Sequence, residues 1–189
     1  MGRWEPGVSG RLQEAALALY LERGFEQTMV ADIAERAGVT ARTFFRHFAD
    51  KREVLFDAAA ELEEKALAAL EAAPTTATAL DLVAAALDAM ADIIGHDRGL
   101  ARQRHTVIRA NAELRERELI KLEQMSAAVA DGLRRRGIGD TEASLAAETG
   151  SAVYRVAFQR WVDAADELDL RDTIRRSFAQ LRTLTAAAH

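Results

Sequence analysis

Only two prolines, Pro6 and Pro74, stand in the 189 residues, so almost nothing interrupts the backbone hydrogen bonding of long helices between and after them. Apolar residues make up 49% of the chain, charged residues 29% and aromatic residues 6%, the balance of a folded chain whose core is built largely from Ala and Leu. The expectation is an all-α fold. The chain has no cysteine, which excludes disulfides, thiolate nucleophiles and cysteine-ligated metal or iron–sulfur sites, and a reducing cytoplasm is the expected setting. The N-terminus lacks the apolar stretch of a signal peptide. No window reaches the ~18–20 uncharged apolar residues of a membrane span, so no membrane partner is expected.

The first ten residues show no periodicity and read as a loose arm over residues 1–9, with Ser9 as a candidate helix cap and Arg3 as a candidate minor-groove contact. Leu12, Ala15, Ala16, Leu19 and Tyr20 then recur at helical spacing up to Gly24. Thr28 is the expected cap of a second helix with Met29, Ile33, Ala34 and Ala37 on one face and Gly38 as its stop. Thr40 is the expected cap of a third, with Val39 packing on Phe44 as a hydrophobic staple. Asp50 and Glu53 resemble a capping box opening a fourth helix through Leu70. Five further helices are expected near residues 77–94, 100–109, 111–136, 141–165 and 170–187, with Asn111, Asp140 or Thr141, and Asp169 as caps.

Two short helices reversing at a glycine form the helix-turn-helix pattern, whose second helix enters the DNA major groove. At ~100° per residue, and with Phe44 at zero, Phe48 lies near ~40° whereas Arg42, Arg46 and Thr43 fall near ~160°, ~200° and ~260°. Phe44 and Phe48 are thus expected as buried anchors and Arg42, Thr43 and Arg46 as the outward face. Guanidinium groups fork onto guanine edges or phosphate, and threonine meets a thymine methyl. Lys51 and Arg52, at the start of the fourth helix, are expected to clamp a phosphate. The net charge of −5 alone argues against a nucleic-acid partner. Up to Phe56, however, basic and acidic residues balance at eight each, and residues 28–52 hold five basic to three acidic.

The run Leu19-Tyr-Leu-Glu-Arg-Gly-Phe-Glu-Gln-Thr-Met-Val-Ala-Asp-Ile-Ala-Glu-Arg-Ala-Gly-Val-Thr-Ala-Arg-Thr-Phe-Phe-Arg-His-Phe-Ala-Asp-Lys51, followed by Glu53-Val-Leu, resembles the N-terminal domain of tetracycline-repressor-type (TetR family) regulators. The resemblance covers about a quarter of the chain; the downstream sequence matches only diffusely. It implies a homodimeric repressor that binds a palindromic operator and releases it when a small molecule enters the C-terminal domain. It also implies DNA contacts at Thr28, Thr40, Arg42, Thr43, Phe45, His47 and Lys51. One position departs: the family usually carries Tyr where this chain has Phe45, so a hydroxyl contact to phosphate is lost.

The expected organisation is a three-helix helix-turn-helix head over residues 1–50 and a ligand-binding and dimerisation domain of about six helices over residues 51–189. The four histidines are scattered and no catalytic, metal or cofactor motif occurs, so neither an enzyme nor a cofactor is expected. The last two helices are the candidates for pairing, through Val153, Ala157, Trp161, Ile174, Phe178, Leu181 and Leu184. Met90, Ile94, His105, Ile108, Met125, Val129, Tyr154 and Phe158 are the candidate pocket, and Arg98, Arg102, Arg104 and Arg109 a candidate receptor for an acidic head group. For each stripe the alternative is the chain's own core. A ligand-independent DNA-binding or interaction protein is the alternative for the whole.

Overall fold

The computed structural model describes residues 7–165 and 168–186. Among these it contains nine α-helices and no strand: α1 (Val8–Arg23), α2 (Val30–Arg36), α3 (Ala41–His47), α4 (Ala59–Ala72), α5 (Ala79–Ile94), α6 (Arg98–Ala110), α7 (Ala112–Arg135), α8 (Asp140–Asp163) and α9 (Leu170–Ala186). Arg3 lies outside the described residues, as does most of the expected arm.

Two compact units divide the chain. The first takes in the described residues up to Asp57 together with Gln103–Leu119, and the second comprises Ala58–Arg102 with the described residues from Ile120 onward. The expected boundary at residue 50 supposed continuous segments; by packing, part of α6 and the start of α7 join the N-terminal helices.

In the first unit α1 supplies Leu12, Ala16 and Tyr20 to a core completed by Phe25, Ile33, Phe44, Phe48, Val54 and Phe56. α1 starts at Val8 beside Gly7, earlier than expected, and Ser9 is not its cap: its hydroxyl donates to Asp57 Oδ2 at 2.7 Å. Thr28 does not cap α2 either. Its hydroxyl turns back to donate to the Gly24 carbonyl at 2.8 Å, while the Met29 amide donates to Asp32 Oδ2 at 2.9 Å. Met29 therefore precedes the helix and is exposed rather than packed. Gly38, at φ 68°, makes the reversal between α2 and α3: only a left-handed backbone lets the Val39 amide reach the Ala34 carbonyl at 2.9 Å.

The expected fourth helix is divided. Asp50 Oδ1 accepts from the amides of Arg52 and Glu53 at 2.7 and 3.3 Å, which organises a single 3-10 turn, Glu53–Phe56, that buries Val54, Leu55 and Phe56; the α-helix begins only at Ala59.

In the second unit α5 is the central helix, packing on α4, α8 and α9. Thr78 caps it, accepting from the Asp81 amide at 3.3 Å. Gly150 brings α8 against α5: a Cβ there would stand 2.3 Å from Val83 Cγ1. Asn111 and Asp169 cap α7 and α9 as expected, each carboxyl or amide oxygen accepting a main-chain N–H two to three residues on. Gly139, not Asp140 or Thr141, precedes α8, with no side-chain cap.

Candidate nucleic-acid interface

The geometry of α3 follows from its cap and its two anchors. Thr40 Oγ1 accepts from the Thr43 amide at 3.1 Å, and the two threonine hydroxyls lie 3.0 Å apart. Phe44 and Phe48 are buried, ring centroids 5.6 Å apart, and Val39 packs on the same core. The opposite side carries Arg42, Phe45, Arg46 and His47, all exposed, with Thr43 half-buried beside them. Arg42 and Arg46 make no hydrogen bond or ion pair among the described residues, unlike the neighbouring cations. Arg36 pairs with Glu22 at 2.6 Å, Arg23 with Asp32 at 2.7 Å and Arg52 with Asp50 at 2.6 Å. The Arg36 guanidinium holds the Glu22 carboxyl below its usual range, and the Arg52 guanidinium does the same for Asp50.

Two of the expected DNA residues are placed otherwise. Thr28 is 1% exposed, its hydroxyl committed to the Gly24 carbonyl. Lys51 is half-buried: Nζ donates to the carbonyls of Phe25 and Thr28 at 2.8 and 3.1 Å and lies 4.2 Å from the centre of the Phe25 ring. Its carbonyl in turn accepts from the buried Tyr20 hydroxyl at 2.6 Å, and burial, then the Asp50 carboxylate, push that phenol well above its ordinary pKa. The main-chain amides of Arg52 and Glu53 are bonded to Asp50 Oδ1. Thr40, Arg42, Phe45, Arg46 and His47 are thus exposed on and around α3 with Thr43 half-buried among them, whereas Thr28 and Lys51 are held by main-chain carbonyls. Met29 is an exposed neighbour the sequence reading had turned inward.

The pocket candidates separate. A cavity of about 30 Å³ lies between α5, α7 and α8, and Met90, Met125, Val129 and Tyr154 line it together with Val83, Leu122, Ser126 and Gly150 among others. Ser126 is buried there and donates to Glu148 Oε1 at 2.7 Å. Ile94 and Phe158 lie outside this lining. Ile108 and His105 belong to the other compact unit, where Ile108 is fully buried in the helix-turn-helix core.

Three of the four expected head-group arginines are committed to carbonyls, and Arg109 is exposed. Arg98 and Arg102 both donate to the Ala164 carbonyl, and Arg102 Nε reaches Val162 O at 2.7 Å, closing the C-terminus of α8. Arg104 donates to Leu55 O at 2.6 Å and stacks on Phe56. Arg136 gathers the carbonyls of Leu70, Glu71, Ala73 and Pro74 at 2.9–3.0 Å and ends α4.

The expected pairing stripe is also corrected. Val153, Ala157, Trp161, Ile174 and Phe178 are buried in the core of their own unit, with Leu181 partly buried against it. Only Leu184, 75% exposed, faces out. The outward apolar positions of α8 are instead Leu145, Ala152 and Val156, spaced i, i+7 and i+11; Leu145 is 64% and Val156 55% exposed. Among the described residues no helix is long and apolar enough to cross a membrane, and no cluster of His, Asp and Glu is placed to hold a metal.

Comparison with known proteins places two family models on the chain: "Bacterial regulatory proteins, tetR family" over residues 12–62 and "MftR C-terminal domain" over residues 77–186. The HTH-type transcriptional regulator TcmR of Streptomyces glaucescens is 42% identical over 80 residues, 42% of this chain and 35% of that protein. The HTH-type transcriptional repressor KstR2 of Mycobacterium tuberculosis is 44% identical over 46 residues, 24% of this chain and 23% of that one. The chain therefore matches about a third or less of the length of these curated relatives. Among solved structures, a transcriptional regulator from Pseudomonas aeruginosa PAO1 superposes with a TM-score of 0.64 at 21% identity, covering 96% of this chain and 91% of that one. FadR from Bacillus subtilis in complex with stearoyl-CoA gives 0.61 at 22% identity, covering 91% and 96%. FadR from Thermus thermophilus in complex with lauroyl-CoA gives 0.57 at 22% identity, covering 92% of each. At these identities the agreement concerns the fold.

Proposed function

Given that the chain belongs to the tetR family of bacterial regulatory proteins, we propose that it is a cytoplasmic, non-enzymatic transcriptional repressor that binds a palindromic operator as a homodimer through α3. The observation that carries this reading is the outward face of α3: Arg42 and Arg46 exposed and unpaired among the described residues, on a helix pinned from beneath by Phe44 and Phe48. Leaving two guanidiniums free while Arg23, Arg36 and Arg52 are neutralised concentrates positive potential where a duplex would dock. Thr40, Thr43 and His47 stand beside them as phosphate or base contacts.

A palindrome requires two such helices about 34–36 Å apart, hence a twofold partner. The exposed apolar positions Leu145, Ala152, Val156 and Leu184 on α8 and α9 are the proposed pairing surface. A small apolar effector would enter between α5, α7 and α8, where the cavity of about 30 Å³ holds little more than two water molecules and must widen. Met90 and Met125, adaptable side chains on two of its walls, suit that rearrangement. The same small volume favours a second reading, a regulator that needs no ligand. Lauroyl-CoA and stearoyl-CoA, carried by two proteins of this fold, are first probes: a thermal shift and loss of DNA binding support the effector, and neither effect supports the second reading.

The decisive experiment selects duplexes from a random library with the full chain. Arg42→Ala should then weaken the selected duplex by ~1–3 kcal/mol and flatten its preference over a scrambled one. Equal losses on both duplexes would remove Arg42 as a base reader.

A further inference from the structure

Phe45 is the one large apolar side chain on the outward side of α3. It lies ~100° around the helix from the buried Phe44, with Ala41 at ~60° beside it and Arg42 and Arg46 beyond at ~160° and ~200°. Its ring remains 58% exposed and meets Phe44 edge-on, centroids 5.5 Å apart at 82°. An aromatic ring left in water forgoes the gain of burial, and this one is held in place by a partner that is itself fixed in the core. The major groove presents a single apolar group, the C5-methyl of thymine.

Resting on the proposed docking of α3, we infer that Phe45, flanked by the Ala41 methyl, reads a thymine methyl close to the base contacted by Arg42. Arg42 and Phe45 are three residues apart, ~4.5 Å along the helix axis, against ~3.4 Å per base-pair step. The thymine therefore falls one or two base pairs from the base that Arg42 contacts. Phosphate affinity comes from other residues, so removing the ring relaxes sequence choice at that thymine more than it weakens DNA binding at large.

The test takes a duplex selected from a random library by the full chain and replaces each thymine in turn by uracil, which deletes only the methyl. The expected result is one thymine per half-site whose replacement weakens the wild-type protein roughly fourfold, the worth of one buried methyl. Phe45→Ala should bind the thymine and uracil duplexes alike. Phe45→Gln serves the same comparison should Phe45→Ala fail to fold. Uracil sensitivity at no position, or equal sensitivity in wild type and variant, overturns the thymine contact while leaving DNA binding intact. A library from which nothing is enriched overturns both.

Discussion

Lys51 illustrates how little a basic residue's position says about its use. Its place at the start of the expected fourth helix suited a phosphate clamp, yet two of its three N–H groups are spent on the carbonyls of Phe25 and Thr28, 26 and 23 residues away in the chain. Lys51→Ala leaves those carbonyls and the Phe25 ring without their cation, and should lower unfolding stability by about 2 kcal/mol in urea titration. Unchanged stability with a loss of DNA affinity would return Lys51 to the interface. Asp50 makes a pH-dependent contribution of definite sign. Its folded pKa is depressed, chiefly by the Arg52 guanidinium, so its contribution is complete above the unfolded value of about 4 and is lost as pH falls through the folded one. The stability gap between wild type and Asp50→Asn should therefore be open at pH 7 and narrow towards pH 3; a gap independent of pH contradicts the assignment.

Among the helices, the contact between α5 and α8 depends on a missing side chain. Gly150→Ala places a Cβ 2.3 Å from a methyl of Val83, whose branched side chain cannot swing aside, and should cost about 1–3 kcal/mol of stability. Val83→Ala alone also destabilises, by removing buried carbon, but the double variant should be more stable than the two losses summed. Strict additivity in a double-mutant cycle would show that the helices had already separated. Helix existence and approximate extent were legible in advance because 3.6-residue periodicity, Asn111, Asp169 and Thr40 are local signals. The divided fourth helix was not. A capping box at Asp50 fits either a 3-10 turn or an α-helix, and the choice rests on where Val54, Leu55 and Phe56 find a core.

For the assembly, the proposed dimer makes a direct forecast. Val156→Asp sets a charge on an exposed position, so the isolated chain should keep its helicity while the dimer dissociates in sedimentation and palindrome binding falls with it. A Val156→Asp dimer as tight as wild type would move the pairing surface elsewhere. Val153, Ala157, Trp161, Ile174 and Phe178, expected on such a surface, are buried in the core of their own unit. Val153, Ala157 and Trp161 form as regular a stripe as Leu145, Ala152 and Val156, and both are apolar.

That ambiguity marks the division of labour in this chain. Proline scarcity, caps and helical spacing were sufficient for the all-α plan and for the two sides of α3, since on so short a helix only one side carries enough aromatic surface to bury. Periodicity groups residues on a common face without saying what the face meets. Which stripe of α8 turned inward, and which arginines were consumed at helix ends some sixty residues distant, followed from packing, where the larger side chains Trp161 and Phe178 fill space that Val156 and Leu184 cannot.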